Sequence, residues 1–443
     1  MTAATLESAD VRRQPGMKLK HVAAVAAGNA LGFYDFLTFS FFAGSIGRAF
    51  FPSHDPSTSL LSSLAVFWIG FLSRPVGGIV IGMLGDYAGR KPAMLLSFSL
   101  MGVSIVGLAL TPSYAAIGAA APVLCVIFRL LQGFALGGEV GPTTAYLVEA
   151  APPGRRGFYG ALQYATQDFS ILCAGLVGFA LAGILDPSAF DAWGWRIAFL
   201  IGATIVPFAL WIRHELPETL DKSACDTPSH DHDEVDQAHA QANILRTAFL
   251  GLLIIGTGAI AAYALIYLAT YAQDTLGLPP SAAFAATIAT GLCGTLVDPL
   301  SGILADRFGR KRVMIVPWLA LLVLVLPAFM AMVQYRTTLV LLAATIALSI
   351  CNQLTSPSAI VTVTEALPRK SRSGALAIVY AFAIAIFGGS AQWVMKQLSV
   401  ISGSPLAPAW YLAGAVVLGF FAMLAFPETA PGHRKPGLDV TER

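Results

Sequence analysis

Apolar residues run along this chain in long blocks, many close to 20 residues, separated by short breaks rich in charge, proline and glycine. Reading blocks against breaks predicts twelve helices, over residues 22–50, 60–84, 92–111, 121–148, 158–181, 193–213, 245–272, 281–305, 312–333, 338–363, 373–396 and 408–427. A run of about 20 apolar residues matches the hydrocarbon thickness of a bilayer. Several blocks are longer than that minimum, so tilt or interfacial turns are expected. The expected fold class is an all-α polytopic membrane protein, with twelve transmembrane helices in two pseudo-symmetric six-helix bundles.

One long polar stretch, Asp221 to Gln241, interrupts the pattern near the middle and divides the helices six to six. The expected organisation is therefore a first bundle over 1–213, a linker over 214–244, and a second bundle with a tail over 245–443. The linker carries His230, His232 and His239 among acids, but their spacing fits no standard metal site, and a solvated interdomain loop explains them better. No metal site and no cofactor are expected. Orientation follows from the basic residues. With the N-terminus in the cytoplasm, all of the 27 Lys and Arg except Arg48, Arg74, Arg129, Arg196, Arg336 and Lys396 fall on the cytoplasmic side. This bias places both termini there, as does an even number of spans.

Composition agrees. Charged residues make up 12% of the chain and hydrophobic residues 56%, against about 25% charge in an ordinary globular protein. A soluble chain of 443 residues needs far more polar surface. The net charge of +2 gives no reason to expect a nucleic-acid partner. Of the five cysteines, Cys125, Cys173, Cys293 and Cys351 lie in apolar blocks and read as small buried hydrophobes, so no disulfide framework is expected. The first apolar block is expected to be a retained span rather than a signal peptide.

The two halves repeat. GMLGDYAGRK, from Gly82 to Lys91, returns as GILADRFGRK, from Gly302 to Lys311. Glu149 before Pro152-Pro153-Gly154-Arg155-Arg156 corresponds to Glu365 before Pro368-Arg369-Lys370, and Leu216-Pro217-Glu218-Thr219 to Phe426-Pro427-Glu428-Thr429. Three landmarks recur in the same order on the same side. Duplicated bundles with a midplane site between them are a transporter architecture.

The two glycine-acid-basic loops resemble the signature loop of the major facilitator superfamily, with Tyr87 in the first copy where the second has Arg307. Arg129-Leu-Leu-Gln-Gly133 with Gly137-Gly138-Glu139 is similar to that superfamily's fourth-helix motif. More narrowly, Gly28-Asn-Ala-Leu-Gly-Phe-Tyr-Asp35, Phe50-Phe51-Pro52, Ser73-Arg74-Pro75-Val76-Gly77-Gly78 and Trp193-Gly-Trp-Arg-Ile-Ala-Phe199 resemble the metabolite:proton symporter family. That resemblance covers essentially the whole chain. It implies transport of substrates such as citrate, 2-oxoglutarate, shikimate or proline and betaine, with the proton as driving ion.

Within the loops, Gly85, Asp86, Gly89 and Arg90, and again Asp306, Gly309 and Arg310, suit a latch that holds the bundles together in one transport state. Gly89 and Gly309 allow a bend that side chains resist, and the acids can pair with a helix end or a basic residue. Positive-inside anchoring and helix termination are the plainer reading. The glycine pattern does not match a phosphate-binding loop.

Ionisable groups at membrane depth are costly and face cavities. Those expected are Asp35, Arg74, Arg129, Glu139 and Asp168, all in the first half. Asp35 is the first choice for the coupling proton, with Arg129 as its partner, as in the proton-coupled sugar symporters of the superfamily that the sequence resembles. Glu139 and Asp168 are the other proton candidates. Arg74 is placed either against a substrate carboxylate or against Glu139. Gln163, Tyr164, Gln167 and Asp168 make a polar stripe on one helix. Tyr263, Tyr267 and Tyr271 recur every four residues, and ordinary bundle packing accounts for that spacing as well as an aromatic wall does. Asn352 and Gln353 are second-half ligand candidates, and Tyr380 is a further polar position there. Trp393 and Trp410 are expected as interface anchors. The expected substrate contacts are thus Arg74, Arg129, Gln163, Tyr164, Gln167, Tyr263, Tyr267, Asn352 and Gln353.

These readings point to a proton-coupled symporter of a small organic acid, a di- or tricarboxylate such as citrate, working by alternating access as a monomer in a bacterial inner membrane. Its partners are a small-molecule substrate, protons and membrane lipid. Uptake of a zwitterionic osmolyte or amino acid is the runner-up, and export of an amphipathic compound the third reading. An enzyme is not expected, because no span pairs a nucleophile with a base. A receptor or channel fits the duplicated loops poorly.

Overall fold

The computed structural model describes residues 19–88, 90–137, 155–204, 207, 234–367 and 372–429. Gly89, Glu139 and the Glu149 and Pro217 landmarks lie outside these residues, and the side chains of Asp86 and Arg90 are likewise outside the description.

Almost every described residue is helical, and no strand occurs among them. In hydrocarbon each backbone N–H and C=O must be satisfied within its own segment, which leaves helices as the available structure for such apolar blocks. Span 1 is Leu19–Phe41. Span 2 runs as Pro56–Leu72 and Arg74–Ala88, span 3 as Arg90–Leu110 and span 4 as Ala120–Gly137. Span 5 is Arg156–Ile184, and span 6 is described over Trp195–Gly202. In the second half, spans 7 to 10 are Glu234–Asp274, Pro280–Phe308, Arg310–Tyr335 and Thr338–Ala366. Span 11 is Arg372–Ala383 continued through a π-helical turn, Ile384–Gly388, into Gly389–Ser402, and span 12 is Ala407–Ala425. Nine helices among the described residues are long and apolar enough to cross a membrane. Span 7 begins inside the expected linker, at Glu234 rather than near residue 245.

Local chemistry sets the ends. Asp55 caps span 2 by accepting from the N–H groups of Ser57 at 3.1 Å and Thr58 at 3.2 Å, with Pro56 in the first turn. The Thr58 hydroxyl and Ser57 N–H hold the exposed Asp55 carboxyl below the usual carboxylate value. Gly309 has φ 92°, which lets the chain reverse between spans 8 and 9.

Span 8 shows how the bundles meet. Leu292, Leu296, Leu300 and Ile303 form its exposed stripe, whereas Gly291, Gly294, Asp298, Ser301, Gly302 and Ala305 are turned inward. Large apolar groups thus face lipid and small or polar ones face protein, the reverse of a soluble helix. The inner face packs on span 5, from the other half. A Cβ on Gly302 would lie 2.5 Å from the Gly157 carbonyl oxygen, and one on Gly157 would lie 2.6 Å from that of Gly302. Neither glycine tolerates a side chain at this approach. Spans 2 and 4 pack the same way in the first half, where a Cβ on Gly133 would strike the Gly70 carbonyl.

Candidate functional site

Where the bundles meet they enclose a cavity of about 70 Å³, room for roughly five waters. Phe33 and Leu37 line it from span 1, and Tyr164, Gln167 and Asp168 from span 5. Tyr263 of span 7, Gln353 and Ser356 of span 10 and Tyr380 of span 11 complete it. Of the expected substrate contacts, Tyr164, Gln167, Tyr263 and Gln353 therefore reach the cavity together with Asp168.

The others lie elsewhere. Gln163 turns to span 1, donating to the Asn29 side chain at 3.2 Å, because its position on the helix points away from the second bundle. Tyr267 is fully buried one turn beyond the wall, with its ring 6.2 Å from that of Tyr271, which in turn donates to the Pro405 carbonyl at 2.8 Å. Asn352 donates to the Gln353 side chain at 3.4 Å and supports it from outside the cavity.

Arg74 and Arg129 sit behind the wall. Arg74 lies 4.1 Å from the Phe36 ring centre and 4.3 Å from that of Phe71, and within reach of the Tyr263 hydroxyl. Arg129 lies 4.2 Å from Phe36 and 4.4 Å from Phe39. Both guanidiniums thus stack on Phe36. Arg129 donates to Gln132 Oε1 at 2.5 Å and to the Phe36 carbonyl at 3.4 Å. Among the described residues neither arginine forms an ion pair, and the Nε and Nη2 groups of both have no acceptor. Buried donors left open in this way are costly unless a ligand or water meets them.

The expected Asp35–Arg129 pair is not formed. Asp35 is fully buried, packs against Gly202 of span 6, and has no donor to either oxygen among the described residues. Phe36 and Phe39 are the span 1 side chains that meet Arg129. Asp35 is one residue from Phe36, about 100° around the helix, so it faces a different neighbour.

The second half also carries a membrane-embedded acid, contrary to expectation. Asp298 of span 8 is fully buried, faces Asp168 of span 5 within hydrogen-bonding reach, and has no donor to either oxygen among the described residues. Gln353 Nε2 donates to Asp168 Oδ2 at 2.6 Å, so three side chains from both bundles meet at one point. The signal was legible in Val297-Asp298-Pro299, an acid inside an apolar block. Lys396, expected away from the cytoplasmic side, is 6% exposed and pairs with Asp274 at 2.7 Å. Trp410 is exposed as an interface residue would be, but Trp393 packs against Trp68.

The bundles touch on both sides of the cavity. At one end Ser40 donates to Gln392 at 2.7 Å, and Trp68 Nε1 donates at 2.9 Å to the Ala385 carbonyl, in the π-helical turn of span 11. At the other end the second glycine-acid-basic loop gathers its landmarks. The Asp306 carboxylate accepts from the N–H groups of Gly157 at 2.9 Å and Phe158 at 3.1 Å, in the first turn of span 5, and from Arg310 at 3.0 Å. Arg310 grips Glu365 with two bonds of 2.9 Å, and Glu365 accepts from the Thr429 hydroxyl at 2.9 Å. Glu428 accepts the N–H groups of Arg310 and Lys311 at 3.1 Å and 3.0 Å. The three separated repeat landmarks of the second half therefore form one cluster.

A sequence model described as sugar (and other) transporter matches residues 21–432. The chain is 34% identical to a citrate-proton symporter of Klebsiella pneumoniae over 92% of this chain and 91% of that one. It is 32% identical to an alpha-ketoglutarate permease of Escherichia coli strain K12 over 97% of each, and 31% identical to a proline/betaine transporter of Salmonella typhimurium over 94% and 84%. The fold superposes on a crystal structure of a D-xylose-proton symporter with a TM-score of 0.71 at 20% identity, covering 93% of this chain and 97% of that one.

Proposed function

The chain belongs to the sugar (and other) transporter family of the major facilitator superfamily, and from that premise we propose that it carries a small di- or tricarboxylate with protons by alternating access. The observation that carries the proposal is the pair Arg74 and Arg129, both buried, both with open donors and neither ion-paired among the described residues. An entering carboxylate supplies acceptors to such donors, and guanidinium forks bind carboxylates bidentately. Arg74 stands next to Tyr263, so rotation of this ring would connect it to the cavity. The citrate and alpha-ketoglutarate relatives support the same substrate class.

Asp35 is the proposed carrier of the coupling proton. A carboxylate buried without a donor is destabilised as an ion and far less so as a neutral acid, and the proton symporters among the relatives support the choice of ion. Asp306 and the first turn of span 5 form the proposed latch, closing the end that we assign to the cytoplasm with both termini. Proton loading and substrate binding would bias the bundles toward closure, and loss of the latch would open that end.

A zwitterionic substrate is the second reading. Phe33, Tyr164, Tyr263 and Tyr380 surround the cavity with aromatic faces, and Asp168 adds an acid, the chemistry that receives a quaternary amine. The proline/betaine relative supports it. Counterflow in liposomes separates the two. Exchange of labelled citrate or 2-oxoglutarate that betaine does not compete supports the carboxylate. Exchange of betaine alone, with no response to any carboxylate, overturns it.

A further inference from the structure

Asp168 and Asp298 lie on spans 5 and 8, which belong to different bundles and pack through glycines too closely to admit side chains. We propose that these two carboxyl groups share one proton, and that this proton fastens the bundles at the level of the cavity. The inference extends the proposed transport cycle, since it concerns what holds the closed form, but it does not depend on Asp35.

Geometry carries it. Asp298 is wholly buried with neither oxygen receiving a donor among the described residues, and the group it faces is the other carboxyl. Two carboxylates at this separation repel, whereas an acid and a carboxylate form a short charge-assisted O–H···O bond. The amide that reaches the pair, Gln353 Nε2, is spent on Asp168, and Asp298 receives no donor among the described residues. A Cβ on Gly294 would strike the Asp168 carboxylate, so the glycine makes the space in which the acid reaches span 8. No ion pair to either acid occurs among the described residues. The other titratable groups facing the pair are Tyr164 on span 5 and Cys293 on span 8. Both are neutral donors at ordinary pH, so nothing there compensates a doubly charged pair.

Proton loss leaves two adjacent anions on opposite bundles, and the repulsion is relieved when spans 5 and 8 part. The cavity wall contains Asp168, so the proton has a water-accessible route once the cavity opens. The titration of a shared proton belongs to the pair and to neither residue alone.

The test uses the full chain in lipid nanodiscs. In infrared difference spectra across a pH titration, either Asp168→Asn or Asp298→Asn should remove one and the same protonated-carboxyl signal, and the double variant should remove no more. Asp35→Asn should leave that signal intact, so failure of the Asp35 assignment does not touch this one. Spin labels at Ser188 and Ser402, exposed positions on opposite bundles, should report a wild-type inter-bundle distance that lengthens as pH rises. Asp298→Asn, whose amide donates to Asp168 permanently, should stay short at all pH values. Additive, independent signals from the two single variants overturn the proposal. So does a wild-type distance that ignores pH, a result that needs no variant to fold. A distance that responds to sodium at constant pH, with that response lost in Asp298→Asn, makes the pair a cation site and overturns it as well.

Discussion

Asp306→Asn weakens the contact between the second repeat loop and the first bundle, together with the Asp306–Arg310 pair inside the second half, where Glu365 still holds Arg310. The substitution keeps the shape of the side chain and removes its charge. In the closed form the carboxylate accepts two N–H groups at the start of span 5, at 2.9 and 3.1 Å, where the helix end carries partial positive charge. Hydrogen bonds to charged groups contribute about 1.5–3 kcal/mol each, which bounds the pair at about 3–6 kcal/mol. Water meets the same N–H groups once the loop lets go, and an amide oxygen still accepts one of them. The net loss from the closed form is therefore about 2–3 kcal/mol, or a 30- to 150-fold fall in the closed-to-open ratio at this end. Spin labels at Arg155 and Phe308, both exposed and flanking the contact, measure that ratio by electron–electron distance. The variant should shift most molecules to the longer distance. Thr429→Ala removes a bond to Glu365 within the second half and should leave the distance unchanged. A folded Asp306→Asn protein with the wild-type distribution refutes the latch and returns the loop to a role in anchoring and helix termination.

Three further outcomes follow from the same geometry. Asp35→Asn should abolish accumulation driven by a pH gradient while counterflow survives in part; a stable variant that still accumulates substrate with unchanged proton stoichiometry removes Asp35 from the mechanism. Arg129→Met keeps the bulk against Phe36 and Phe39 but removes the donors, and should weaken carboxylate binding in thermal-shift titration at least 10-fold, about 1.4 kcal/mol, with little effect on betaine. Asp55→Ala should lower the thermal stability of the purified protein near neutral pH. Because the folded-state value of this carboxyl lies below its ordinary 3.8, its contribution is fully present above that value and is lost as pH falls through the lowered one. The difference in melting temperature between Asp55→Ala and wild type should accordingly vanish in strong acid.

The apolar blocks made the helices legible, because length and hydropathy alone settle what a bilayer accepts. The repeat landmarks were legible as repeats, yet their meeting was not: Arg310, Glu365 and Glu428 are far apart in sequence and come together only when spans 8 to 12 pack. Boundaries failed where polarity misled. The stretch from Glu234 reads as linker, but it continues span 7 beyond the apolar block. Inside the bundles the sequence shows which charges are embedded but not which neighbour each one faces. Asp35 and Arg129 looked like partners because opposite charges at similar depth attract, and a rotation of one residue on span 1 puts phenylalanines against Arg129 instead. The polar stripe on span 5 divides for the same reason, with Gln163 on span 1 and Asp168 on the second bundle. Asp298 needed no structure to be noticed as an acid in an apolar block; its relation to Asp168 did.

Uptake of labelled citrate and 2-oxoglutarate by liposomes containing the purified protein tests the proposed coupling most directly. With an acidic exterior and a neutral interior, the account predicts saturable accumulation above the equilibrium level. Dissipating the gradient with a protonophore should abolish that accumulation while leaving exchange against an internal substrate pool. Accumulation that persists without the gradient, or a protein that exchanges neither carboxylate, would contradict it.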